Sequence, residues 1–166
     1  MKRPGWGSRR RAFCALARQG GLVAIALLLA AQPFKAADGA DDAVRKRLAG
    51  EWTLVKYEVF GENGQTRPGN YDVGRINYGE REMSAHLMRS ERPADPQNYI
   101  GYFGPYTIDA DKKIVVHHVV GSSLRTWIGT EQVRHYGFSS DGTQLTLSLK
   151  NGDRITQTLT WQRPQH

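Results

Sequence analysis

From Gly50 onward, apolar and polar positions alternate in short runs separated by turn residues, a pattern of antiparallel strands rather than helices. The alternation is clearest at Leu145, Leu147 and Leu149 against Thr146 and Ser148. It recurs at Ile155, Leu159 and Trp161 against Thr156, Thr158 and Thr160. Eight strands are predicted, at about 51–60, 72–79, 82–89, 99–108, 113–120, 131–139, 143–149 and 153–162. Asn63-Gly64, Asp141-Gly142 and Asn151-Gly152 read as tight hairpin turns in which both central residues take positive φ. Asp109–Lys112 and Gly79–Glu82 read as further turns. Two strands depart from simple alternation: Tyr99–Tyr106 is aromatic and glycine-rich on both faces, and Ile114–Val120 is apolar on both.

Short strands with short antiparallel connections point to a meander that closes on itself, because closure removes the edges an open sheet must protect. The expected fold is all-β, an eight-stranded up-and-down antiparallel barrel with a short N-terminal helix. A β-sandwich gives much the same pattern. The helix is predicted at Ala43–Ala49, N-capped by Asp41 or Asp42 and stopped by Gly50.

The 166 residues suffice for one domain. A net charge of +7 and a pI near 9.8 suggest a polyanionic partner until the charges are located. Six of the 23 basic residues and none of the 16 acidic ones lie in residues 1–31, so the remainder carries 17 against 16. The basicity belongs to the leader, and no nucleic-acid partner is expected. That leader has a cationic start, an apolar run Leu22–Ala31 and small residues at its end, the layout of a secretory signal peptide. The organisation expected is a signal peptide at 1–31, a linker at 32–42 and a barrel domain at 43–166. Cleavage is expected after Ala31, with Ala36-Ala37 as second choice. The protein would be exported, periplasmic or secreted, touching a membrane only transiently through the signal peptide. Arg10-Arg11-Ala12-Phe13 resembles a twin-arginine signal, and the Sec route is slightly favoured. Cys14 is the chain's one cysteine and lies in this leader, so the mature domain has no disulfide and no thiol chemistry.

Gly50-Glu51-Trp52 shows the Gly-x-Trp that opens the first strand of lipocalins. Further segments are Met83-Ser84-Ala85, Met88-Arg89 with Arg92-Pro93, Tyr102-Phe103-Gly104-x-Tyr106 and Val116-His117-His118-x-x-Gly121-Ser122. Trp127-Ile128-Gly129-Thr130-x-Gln132-x-Arg134 completes the set. Together they resemble the small bacterial and fungal lipocalin-like domain family, from about Leu48 to Trp161. Two positions depart from its pattern: Glu82 where the turn commonly has Gly, and Arg125-Thr126 in place of Pro-Asn. The resemblance implies a single up-and-down barrel around a small-molecule cavity and no particular reaction. It also implies a structural set, Gly50, Trp52 and Arg163, with the Arg163 guanidinium stacked on Trp52 at the closed end.

Three of the five histidines fall between Lys113 and Tyr136, with an arginine and two aromatic rings. Adjacent residues of a strand face opposite ways, so only one of His117 and His118 can point inward. His118, in phase with Val116 and Val120, is the expected one, although His117 is equally in phase with Val115 and Val119. No metal site is expected, because no H-x-H or H-x-x-x-H spacing exists. Arg134 and Tyr136 share a face of the next strand. An inward Arg134 requires either an internal carboxylate such as Glu131 or an anionic ligand. Tyr78, His86, Met88, Tyr102 and Tyr106 are further candidate lining residues, and Trp127 with Leu124 and Ile128 forms a candidate lid.

No nucleophile elbow, phosphate loop or dinucleotide fingerprint is present, and no cofactor is expected. The leading expectation is a barrel binding a small hydrophobic or weakly anionic molecule. The alternatives are a cofactor-independent isomerase, cyclase or lyase, with His118 as base and Arg134 or Tyr136 stabilising an oxyanion, and a solid-core structural or inhibitor domain.

Overall fold

The computed structural model of the protein describes residues 36–91 and 98–164, with side chains from residue 39 on. The expected signal peptide and the Arg92-Pro93 motif lie outside the described residues. A helix, α1 (Ala36–Leu48), leads into ten strands. These are β1 (Gly50–Phe60), β2 (Thr66–Pro68), β3 (Val73–Tyr78), β4 (Glu82–Met88), β5 (Tyr99–Asp109), β6 (Ile114–His118), β7 (Gly121–Ser122), β8 (Glu131–Phe138), β9 (Gln144–Asn151) and β10 (Arg154–Gln162). All eight expected strands are present within a residue or two of their expected ends. The short β2 and β7 are additional.

Every pairing is antiparallel. The order runs β10-β9-β8-β6-β5-β4-β3-β1, and β10 pairs back onto β1, closing an eight-stranded barrel. β2 extends the far half of β1, and β7 pairs with β5 where β6 has ended. That handover depends on Gly104, whose φ is +159° and where any Cβ would collide with the His118 carbonyl oxygen. Only glycine lets β5 pass so close to the end of β6.

α1 starts earlier than expected, and Asp41 lies within it rather than capping it. The Asp41 carboxylate instead accepts a hydrogen bond from the Ala110 backbone N–H, 2.9 Å away. The hairpins also differ in detail. At Asn63-Gly64, Asp141-Gly142 and Asn151-Gly152 only the glycine takes positive φ. In the last of these Asn151 pairs with Arg154, so Gly152 is the first central residue of the turn. One left-handed residue suffices there.

α1 and the β3–β4, β5–β6 and β8–β9 turns share one end of the barrel. Arg45 donates to the Glu80 carbonyl, Asp41 accepts from Ala110, and the Arg47 guanidinium lies 4.1 Å from the Phe138 ring centre. This end is sealed. Trp52 Nε1 donates to the Leu48 carbonyl at 2.8 Å, and the Arg163 guanidinium lies over the Trp52 ring at 4.1 Å. Arg163 also donates to the carbonyls of Ala49 and Arg47, at 3.0 and 2.6 Å, closing the loop between chain end and helix end. The end of β4, the start of β5 and the longer β6–β8 connection lie at the other end, the mouth.

The inward face collects Trp52, Leu54, Ile76, Tyr78, Met83, Ala85, Tyr102, Tyr106, Val115, Leu145, Leu147, Leu159 and Trp161. Ile155, expected inward, is 40 % exposed. A register shift between Ile155 and Gln157 turns it out of phase with Leu159 and Trp161.

Candidate functional site

Strand phase decides what reaches the interior. On β6, Val115, His117 and Val119 are buried, whereas Val120 is exposed, so the inward histidine is His117 and not His118. His118 points outward, where its ring contacts Thr107 Oγ1 at 3.0 Å and Glu131 at 3.3 Å. Glu131 is thereby committed to the outer face and is no internal partner for Arg134.

His117 is 1 % exposed and lies between two tyrosines. Its Nε2 is 2.8 Å from the Tyr78 hydroxyl and its Nδ1 3.0 Å from the Tyr102 hydroxyl. One ring nitrogen of a neutral imidazole donates and the other accepts, so both hydroxyls can be satisfied without a charge. Burial pushes the His117 pKa well below its ordinary value, and the charges of Arg134 and His118 push it the same way. The imidazole is therefore neutral. Burial raises the Tyr78 hydroxyl well above its usual range and raises Tyr102 too, with Arg134 pulling in the opposite direction on both.

Above this triad, towards the mouth, lies a cavity of about 260 Å³. Its walls are largely apolar: Ile76, Ala85, Leu87, Ile100, Leu147, Leu149, Leu159 and Trp161. Tyr57, Tyr71, Tyr102, Asn70, Gln132 and Gln157 bring polar tips, and Arg134 brings the one full charge on the lining. Trp127 stands over it, edge-on to Tyr102 with ring centres 5.5 Å apart. A 3₁₀ turn, Arg125–Trp127, holds that ring in place, with Leu124 and Ile128 exposed on either side. The Trp161 Nε1–H is buried without an acceptor among the described residues.

Arg134 is 8 % exposed. Its Nη1 donates to the Val133 carbonyl at 2.9 Å and its Nη2 to the Gln132 amide oxygen at 3.3 Å. No carboxylate ion-pairs with it among the described residues.

Of the residues singled out in the sequence, Tyr102, Trp127 and Arg134 line the cavity together. Tyr78, Tyr106 and Tyr136 face inward but below it. The Tyr106 hydroxyl donates to the Gly79 carbonyl at 2.8 Å, and Tyr136 packs on Phe138. His86 and Met88 do not reach the interior. On β4 the inward set is Met83, Ala85 and Leu87, and His86 lies outside against the Tyr99 hydroxyl at 2.7 Å. His117 is the alternative that the phase of β6 left open, whereas Gln132 and Gln157 are lining residues not singled out in the sequence. Gln132 shares phase with Arg134, and Gln157 with Leu159 and Trp161, both usable signals. Among the described residues no three histidine, cysteine or acidic side chains gather closely enough to hold a metal ion.

A lipocalin-like domain family model matches residues 94–164. Two solved structures are similar to the chain, each at 15 % identity. One is a lipocalin-like protein from Bacteroides uniformis, with 70 % of this chain and 98 % of that one covered and a TM-score of 0.47. The other is a redesigned beta barrel, with 73 % and 95 % covered and a TM-score of 0.42. No curated protein matches the chain. Residues 94–164, which include β5 to β10 of the closed eight-stranded barrel, are thus similar to a lipocalin-like domain.

Proposed function

We propose that the protein is an exported binder of one small, mostly apolar molecule, held inside the barrel. The observation that carries this reading is the cavity under Trp127: apolar walls, a few converging polar tips and about 260 Å³ of space, at the small end for a ligand site. A solid-core structural domain has no use for such a space, and dry voids of this size cost stability. Export rests on the layout of residues 1–31.

The catalytic alternative loses its expected base, since His118 faces outward. His117 does face inward, but tyrosine hydroxyls occupy both its nitrogens, so neither is free for a substrate proton. Native mass spectrometry of the protein purified from its own host tests the binding reading. A one-to-one adduct that disappears on denaturation is the expected result. A protein that is uniformly ligand-free, and that no small apolar compound stabilises, would overturn it.

A further inference from the structure

We propose that the molecule held in this cavity is a monoanion, a small carboxylate whose head pairs with Arg134 and whose apolar body lies along Leu87, Ile100, Leu149 and Leu159. This rests on the binding reading above and adds the chemical class. A guanidinium cannot shed its proton in a protein, so a buried arginine stays charged and needs compensation. Arg134 has five N–H donors, and the partners within reach, the Val133 carbonyl, the Gln132 amide oxygen and the Tyr102 hydroxyl, are all neutral. The nearest acid in sequence, Glu131, is turned to the outer face and engaged with His118.

The remaining polar groups deepen the imbalance rather than relieve it. His117 is neutral and held by two tyrosines, and neither tyrosine is ionised, since burial raises both. Among the described residues the interior therefore carries one positive charge, in a cavity whose walls are mostly hydrocarbon.

A ligand that completes this arrangement has one negative charge. A phosphate dianion or a dicarboxylate would leave its second charge against leucine and isoleucine. The planar fork of the guanidinium matches a carboxylate in bidentate fashion. The Gln132 amide, turned to Arg134 through its oxygen and donating one N–H to Thr130 Oγ1 at 3.1 Å, has its second N–H left to donate to the same head group. The small volume limits the apolar body to a short chain or a single ring.

The test is titration calorimetry of the purified native protein with octanoate and with 3-phenylpropanoate, each against its own primary amide. These pairs hold the apolar body fixed and change only the charge, and the two acids separate a chain from a ring. At least one acid is expected to bind about tenfold or more tightly than its amide, as charge-assisted hydrogen bonds warrant. In Arg134→Met the acid is expected to lose its preference and fall to the level of its own amide. Equal binding of acid and amide by the native protein overturns the anion and leaves the binding reading standing. Binding of none of the four compounds overturns both. An acid preference that survives in Arg134→Met overturns the assignment to that residue. The native acid-to-amide comparison needs no variant, so it decides even if Arg134→Met fails to fold.

Discussion

The two ends of the barrel use arginine in opposite ways. At the sealed end Arg45, Arg47 and Arg163 lie over Tyr106, Phe138 and Trp52 at 4.9, 4.1 and 4.1 Å, with their stems on aromatic faces. Arg45 and Arg163 also donate to backbone carbonyls. Each of these charges keeps access to water, so each adds packing at little desolvation cost. Near the mouth, Arg134 is enclosed, surrounded by neutral acceptors, and borders a cavity. The first arrangement closes a fold. The second holds a charge with no acidic partner among the described residues, which costs stability unless something completes it.

That contrast can be attacked first where the effect is largest. Trp52→Ala removes the fully buried ring between Leu48, Phe138 and Arg163. Urea denaturation is expected to show a loss of about 3–5 kcal/mol. Arg163→Ala removes a cation–π contact and two hydrogen bonds to carbonyls at a partly exposed site. A loss of about 1–2 kcal/mol is expected, with ligand affinity unchanged.

The pH dependence sharpens the comparison, because the buried imidazole belongs to the interior rather than to the seal. The His117 pKa is depressed in the folded protein, so the unfolded chain takes up the proton first as pH falls. Its contribution is fully present above the unfolded value of about 6.5 and is lost as pH drops from there. A slope of up to about 1.4 kcal/mol per pH unit is expected in denaturation midpoints. It should flatten in His117→Gln, leaving the smaller contribution of His135, which is also shifted down. Asp72, Asp109 and Asp141, held low by hydrogen bonds, act only in more acid solution. The smallest effect is expected for His118→Ala, on the outer face. Stability should change by no more than about 0.5 kcal/mol, and ligand affinity not at all.

Most of the barrel is legible in the sequence, because turn residues and alternation are local signals. The misplacements come from interactions that are not local. His117 and His118 both keep phase with valines. What separates them is the pairing of Tyr106 with His117 and the break in β6 that lets Val119 follow His117 inward while Val120 bonds to Phe103. Ile155 leaves the inward set through one extra residue in β10 that no composition reveals, while Gln157 keeps the phase of Leu159 and Trp161. α1 begins within a small-residue stretch with no apolar period, and Asp41, a natural cap by type, is taken by Ala110 on a distant turn. Arg134 was readable as inward through its shared phase with Tyr136, and its lack of a carboxylate only from the outward turn of Glu131.

Whether Arg134 is an uncompensated charge is measured most directly by the unfolding free energy of ligand-free Arg134→Met. Losing a buried cation with no counter-ion should leave the variant as stable as the parent protein, or more stable by about 1 kcal/mol. A loss of about 3–5 kcal/mol, the signature of a broken buried ion pair, would contradict it.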